Sequence, residues 1–225
     1  TQASEQFTAA ALRRAGVNAN RANHDVIDNA FTTIGQQFDD LAARNTMNVD
    51  QQFRRALQDT WDDYSMLTPP SARAPAVQAI IQDIIDIFNR TGGTLAGESY
   101  QALRSRLDKM RRGVKQSDPP LSQAFAGIRN ALDDGMARSA GPADQAAWAE
   151  ARNHYRNLLT IENAVAGAGE NTAMGLISPS QLRTAVKGQD KRAYVRGQGD
   201  MAELARAGEA IMKPLPNSGT APRQA

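Results

Sequence analysis

The chain has 225 residues, of which 41% are hydrophobic, and its formal net charge at pH 7 is +2. Alanine supplies 39 of the hydrophobic residues, whereas Leu, Ile, Val and Phe together supply 40, which is typical of long helices with thin apolar faces rather than of β-sandwiches. Cysteine is absent, which excludes disulfides, thiolate metal sites and cysteine nucleophiles.

Helical periodicity runs through most of the sequence, because apolar residues recur at intervals of three and four. The clearest stripe is formed by Ile27, Phe31, Ile34, Phe38 and Leu41. Segments rich in proline or glycine interrupt the pattern, and each is expected to end a helix. In chain order, helices are predicted over residues 4–16, 20–44, 49–67, 75–90, 97–115, 121–139, 143–166, 179–187 and 200–213.

Local signals add detail to two of these helices. The helix that begins at Pro75 has the densest apolar pattern, so we expect it to be the most buried; its large apolar residues are Ile80, Ile81, Ile84, Ile85 and Phe88. The short helix over 179–187 is predicted to start with Ser178 as its cap and Pro179 in its first turn.

These elements predict an all-α fold without a β-sheet. Short connections favour antiparallel neighbours, so residues 1–166 are expected to form an elongated bundle of long helices. Residues 167–213 are expected to form a smaller helical appendage, and the proline-rich residues 214–225 an extended tail. The sequence begins with Thr1 rather than Met, and we expect the chain to be a piece of a longer protein.

Positive charge is concentrated in the second part of the chain. Residues 1–100 carry 8 basic and 12 acidic side chains, whereas residues 101–225 carry 18 and 12. A solvated helix face is the ordinary interpretation of such runs, and contact with a polyanion or with a partner's acids is the functional one. The residues proposed for such contact lie within 103–115 and 183–196: Arg104, Arg106, Arg111, Arg112, Lys187, Lys191, Arg192 and Arg196.

The stretch "VKGQDKRAYVRGQGDM" at 186–201 has the composition of a phosphate-binding loop. It lacks the strand that precedes a dinucleotide-binding turn, and no Walker-type motif is present. Its glycines are better interpreted as punctuation between a helix that ends near Lys187 and one that begins at Gly199 and Asp200. Tyr194 and Val195 are expected to point inward, and the basic side chains outward.

Two short motifs resemble parts of a lytic transglycosylase. "GES" at 97–99 resembles the sequence around the catalytic glutamate of that family, and "AMGLIS" at 173–178 resembles its following glycine-leucine element. Together they would make Glu98 a general acid acting on peptidoglycan. The two motifs are far apart in this chain, so the simpler interpretation of Glu98 is a carboxylate favoured by a helix N-terminus.

No cofactor or metal site is predicted. His24 and His154 are the only histidines, and neither is spaced from a second ligand as in a zinc motif. The adjacent aspartates at 39–40, 62–63 and 133–134 point about 100° apart on a helix and are expected to face solvent.

The last third of the chain resembles a known class of virion protein. The segments that carry the resemblance are "WAEARNHYRNLLTIENAV" (148–165), "GLISPSQLRTAVK" (175–187), "GDMAELARAGEAIM" (199–212) and "PLPNSGT" (214–220). Their succession resembles a region of the internal virion proteins, or DNA-ejection proteins, of tailed bacteriophages.

The resemblance implies a non-enzymatic structural protein of the virion. Such a protein is made in the bacterial cytoplasm, assembles as a homo-oligomer with portal or other ejection proteins, and is delivered into the host envelope, where it helps form a conduit for the genome. It has no cofactor or small-molecule substrate, and contact with DNA would be non-specific. A peptidoglycan-degrading enzyme using Glu98 and a helical nucleic-acid-binding module using 103–115 and 183–196 remain alternatives.

Overall fold

The computed structural model describes residues 2–166, 170–189 and 199–212 of the chain. Almost all of this part is helical, and the prediction of an all-α fold is confirmed. Ten α-helices are present within the described ranges: α1 Gln2–Arg14, α2 His24–Ala42, α3 Gln51–Leu67, α4 Pro75–Thr91, α5 Gly97–Val114, α6 Pro119–Ser139, α7 Pro142–Ala164, α8 Glu170–Ala173, α9 Pro179–Gln189 and α10 Asp200–Ile211. None of the described helices is both long and apolar enough to cross a membrane.

A small antiparallel ribbon corrects the prediction that no β-sheet is present. Strand β1 (Thr46–Asn48) follows α2, and strand β2 (Thr94–Ala96) precedes α5, with Met47 opposite Leu95. Both of these central residues are fully buried. Each strand has only three residues, which is too short for alternating polarity to be visible in the sequence.

The described residues divide into two compact units. One unit contains those of 1–34 and 153–225, and the other is the continuous segment Gly35–Arg152. The predicted boundary near residue 166 is therefore wrong, because the C-terminal helices group with the N-terminal helix. The predicted tail at 214–225 lies outside the described residues.

Contacts of α1 explain how the first unit is composed. The ring of Phe7 lies against Gly208 of α10, where a side chain would collide with it. The hydroxyl of Thr8, which is fully buried, accepts a hydrogen bond of 2.9 Å from the amide of Ile177. The predicted start of α9 is confirmed: the Ser178 hydroxyl accepts from the amide of Gln181, whose side chain accepts from the amide of Ser178.

Helix α6 is central to the second unit, because both α3 and α5 pack closely against it. Trp148 of α7 is fully buried between two rings, with centroids 5.4 Å from Phe38 and 5.7 Å from Tyr100. On α4, Ile80 and Ile84 are buried, whereas Ile85 is 39% exposed. The prediction that α4 is the most buried helix is therefore wrong: only one of its faces is buried, Ile85 lies outside that face, and α6 buries more residues along its length.

Candidate functional site: buried charged residues on α5 and α6

The inward face of α5 contains charged residues as well as apolar ones. Tyr100, Leu103 and Leu107 are buried, and Arg104 and Arg111 lie on the same face, each only 6% exposed. The spacing of these residues follows the helical repeat, so the burial of one favours the burial of all. The expectation that Arg104 and Arg111 belong to an exposed polyanion-binding surface is therefore wrong.

Carboxylates surround these arginines inside the unit. Arg104 donates from Nε to Asp133 Oδ1 of α6 at 3.2 Å, and the hydroxyl of Tyr100 donates to the same oxygen. Arg129 of α6 donates from Nη1 to Asp108 Oδ1 of α5 at 2.8 Å. We call six residues of α5 and α6 the buried cluster: Tyr100, Arg104, Asp108, Arg111, Arg129 and Asp133.

Further contacts hold the guanidinium groups of the buried cluster in place. Arg104 lies over the ring of Phe38, with its central carbon 3.9 Å from the ring centroid, which is the geometry of a cation–π contact. Its Nη1 lies 3.6 Å from Asp108 Oδ2. The backbone carbonyl of Arg111 accepts a hydrogen bond of 3.0 Å from the hydroxyl of Ser122, which joins α5 to α6 near the far end of the cluster.

Burial fixes the protonation state of Tyr100. Removal from water raises the pKa of its hydroxyl well above the ordinary value, and the negative charge of Asp133 raises it further. Tyr100 therefore keeps its proton and donates it to Asp133 in a hydrogen bond. A buried carboxylate that accepts from a hydroxyl and a guanidinium is a well-compensated charge.

The chemistry of this cluster is that of helix packing. A catalytic or binding site needs a reactive group that a substrate can reach, but Tyr100 is fully buried and Asp133 is only 2% exposed. Each carboxylate of the cluster is shared between α5 and α6. A shift of one helix along the other would separate these charges in a low-dielectric environment, so the cluster fixes the register of α5 on α6.

The other residues predicted for polyanion or partner contact are distributed over both units. Arg106 is half-exposed and lies 3.3 Å from Asp83 of α4. Arg112 is exposed on α5, and Lys187 is exposed on α9 in the first unit. Contact of these residues with a polyanion stays a prediction. Lys191, Arg192 and Arg196, with the predicted inward residues Tyr194 and Val195, lie outside the described residues.

The two motifs that resemble a transglycosylase belong to different units. Glu98 is exposed in the first turn of α5, the position expected for a carboxylate favoured by a helix N-terminus. The segment 173–178 lies in the first unit, where the carbonyl of Gly175 accepts a hydrogen bond of 2.7 Å from the amide of Ala22. Leu176 and Ile177 of this segment are buried in that unit.

The two histidines occupy unrelated environments. His24 is exposed and lies 3.2 Å from Asp28, one turn further along α2. The ring of His154 lies against Gly16, whose φ of 75° is the left-handed conformation that favours glycine. Among the described residues, no group of three or more His, Asp or Glu side chains could hold a metal ion.

The expectation that Asp133 faces solvent is wrong, because only 2% of its surface is exposed. It is one of three members of the buried cluster that were missed in the sequence, together with Asp108 and Arg129. A signal for two of them was present, because Arg129 and Asp133 occur at helical spacing with Phe125, Leu132 and Met136 on the apolar face of α6. A charge within such a face needs a buried partner. The sequence alone does not say which element supplies that partner.

Comparisons of the chain with protein-family models, with curated proteins and with solved structures find no match.

Proposed function

We propose that this chain is a non-enzymatic structural segment of an internal virion protein of a tailed bacteriophage. It assembles with copies of itself and with portal or other ejection proteins, and it helps form a conduit for the genome across the host envelope. The succession of segments between residues 148 and 220 supports the virion assignment, because it resembles a region of ejection proteins.

The burial of the cluster on α5 and α6 is the observation that carries the structural role. Arg104, Arg111, Arg129 and Asp133 are all nearly inaccessible to solvent. The pairs Arg104–Asp133 and Arg129–Asp108 join α5 to α6. An enzyme would present such groups in an open cleft, where they can exchange protons with a bound substrate. Here the same residue types stabilise a helix pair.

Exposed apolar side chains support the assembly role. Met66 is 86% exposed and Leu67 is 62% exposed at the end of α3, and Ile211 is 84% exposed at the end of α10. Single exposed apolar residues are ordinary on protein surfaces, but a neighbouring pair at a helix end is a contact point that a partner can bury.

The proposal is tested by following the protein that contains this chain, here called the parent protein, through infection. Virions of the phage whose genome encodes this chain are purified, and their proteins are quantified by mass spectrometry before and after DNA release. We expect the parent protein to be present in full virions and depleted from emptied capsids, while the major capsid protein is retained in both. Absence from full virions, or retention in emptied ones, would overturn the proposal.

A lysis assay separates this role from the enzymatic alternative. Peptidoglycan is incubated with the chain and with its Glu98→Gln variant, and the release of soluble fragments is measured. We expect no release that depends on Glu98, because this carboxylate shows the features of an exposed helix-terminal residue. Lysis by the parent chain that is lost in Glu98→Gln would establish an enzyme instead.

A further inference from the structure

One exposed face of α3 is acidic and ends in an apolar residue. Asp59, Asp62 and Asp63 are all exposed and recur at helical spacing, and Met66 follows them on the same face. Arg55, one turn before Asp59, bounds this face at its other end. We call Asp59, Asp62, Asp63 and Met66 the acidic flank.

One exposed face of α5 is basic and adjoins a groove. Arg106, Lys109 and Arg112 are exposed at intervals of three residues, and we call them the basic flank. Arg106 also lines an open groove of about 630 Å³ between α4 and α5, whose apolar walls include Ile87 and Leu103. Asp83 and Asp86 of α4 lie in the same groove, and Asp83 forms an ion pair with Arg106.

The two flanks belong to the same unit and lie on different neighbours of α6. Both α3 and α5 pack mainly against α6, so α6 separates them. The charged side chains of each flank are exposed to solvent, where a second molecule can contact them. Because the flanks are different surfaces, a contact between them repeats from one copy to the next and leads to a ring or a filament.

The spacing of the groups on the two flanks agrees. Asp63 and Asp59 precede Met66 by three and seven residues, which is about 4.5 Å and about 10 Å along the helix axis. Lys109 and Arg112 follow the groove residue Arg106 by three and six residues, about 4.5 Å and about 9 Å. An antiparallel alignment with Met66 at the groove therefore places Asp63 near Lys109 and Asp59 near Arg112.

We propose that the acidic flank of one copy docks on the basic flank of a second copy, with Met66 seated in the groove between α4 and α5. A second copy fits this surface better than a polyanion, because Asp83 and Asp86 in the groove would repel phosphates whereas an apolar side chain fills its walls. This inference rests on the self-assembly part of the proposed function and names the surface that carries it.

The test uses the full chain with two matched charge reversals. The first variant carries Asp59→Lys and Asp63→Lys in the acidic flank, so that both of its flanks are basic. The second variant carries Lys109→Glu and Arg112→Glu in the basic flank, so that both of its flanks are acidic. Particle mass is measured by light scattering at about 50 mM and about 500 mM salt, since exposed charges are screened over a few ångströms at high salt. The chain without substitutions, called the parent here, should form particles larger than a monomer, and more strongly at low salt.

Each reversed variant alone should remain monomeric at concentrations where the parent assembles. An equimolar mixture of the two should assemble again, because each then meets flanks of opposite charge; this rescue also shows that both variants are folded. Met66→Ser should weaken parent assembly at least about tenfold, the loss expected for removing one buried apolar side chain from a contact.

The outcomes separate this surface from the wider proposal. Assembly of the parent with unchanged assembly of both variants would overturn the docking surface and leave self-assembly intact. A parent that stays monomeric at low salt would overturn both. Binding of duplex DNA by the monomer that is lost in Lys109→Glu and Arg112→Glu, without self-assembly, would replace the second copy with a nucleic acid.

Discussion

At the scale of single residues, the charge of Asp133 is an important constraint on the fold. It is buried, and it accepts from Tyr100 and from Arg104. Removing one partner from a buried charged pair leaves the other charge uncompensated, which costs more than the pair contributed. The exposed pair of Arg106 with Asp83 lacks this property, because water compensates either charge when the other is removed.

Asp133→Asn should therefore lower the free energy of unfolding by about 3 kcal/mol, the lower end of what is found for broken buried pairs. Asp83→Asn, its exposed counterpart, should change it by less than about 1 kcal/mol. Chemical denaturation followed by circular dichroism at pH 7 measures both. Equal effects from the two variants would show that the buried cluster does not stabilise the α5–α6 pair.

Gly97 and Gly113 lie in the same helix but tolerate substitution differently. A Cβ on Gly97 would overlap the carbonyl oxygen of Ala42, which belongs to the backbone and cannot rotate away. A Cβ on Gly113 would meet no atom within contact distance. The requirement for glycine at 97 comes from close approach of two chain segments and not from an unusual backbone angle.

Gly97→Ala should destabilise the protein by about 3 kcal/mol, the upper end of the range for overpacking. Gly113→Ala should stabilise it by up to about 1 kcal/mol, because alanine is the better helix former. The midpoints of thermal unfolding should move in opposite directions. A neutral Gly97→Ala would mean that the end of α2 does not approach α5 as closely as the structure places it.

At the scale of elements, the connection from α2 to α3 is fastened to the corner between α6 and α7. Asp144 accepts from Arg44 at 2.8 Å and from Asn45 at 3.0 Å. Asp50 accepts from Nε and Nη2 of Arg138, at 2.6 and 2.9 Å, while it also caps α3. Together these contacts hold β1 in place from both ends.

This fastening predicts a loss of stability in acid. Hydrogen bonding from Arg138 holds the pKa of Asp50 below its ordinary value, and hydrogen bonding from Arg44 does the same for the pKa of Asp144. A carboxyl whose pKa is lowered in the folded state contributes stability above its unfolded pKa of about 3.9, and the contribution is lost as the pH falls through the folded pKa.

Asp50→Asn and Asp144→Asn combined should therefore lower the unfolding midpoint at pH 7 and reduce its fall below about pH 4. Asp62→Asn, at an exposed aspartate that accepts a hydrogen bond from Gln58 and not from an arginine, serves as the control. Thermal unfolding at successive pH values gives the comparison. An acid-induced fall as steep in the double variant as in the parent would contradict it.

The same elements show why the fold was easier to predict than the site. Pro75 starts α4, Gly92 ends it in the left-handed conformation, and Ser178 caps α9, because each signal acts within a few residues. The β1–β2 ribbon and the pairing of Arg104 with Asp133 join residues 48 and 29 positions apart. Periodicity places such residues on a face but does not identify what lies opposite.

At the scale of the whole molecule, helix α1 and the last described helices, α9 and α10, belong to one unit. The composition of the sequence changes after residue 166, which favours a separate appendage, but α10 packs against both α9 and α1. Gly208 makes this packing close, because its missing side chain leaves room for the ring of Phe7 and for Pro179 of α9. The change of composition after residue 166 therefore coincides with shorter helices and not with the start of a separate unit.

Gly208→Leu should open this packing from within. A Cβ on Gly208 would collide with the ring of Phe7 and come within 2.9 Å of Pro179, so α10 must move away from α1 and α9. We expect faster amide hydrogen exchange in all three helices, measured by mass spectrometry.

Gly188→Leu on α9 is the matched control, since nothing lies within contact distance of a Cβ there and the position is exposed. If Gly208→Leu increased exchange in α10 alone, α1 would not depend on α9 and α10, and the grouping of these three helices into one unit would be wrong.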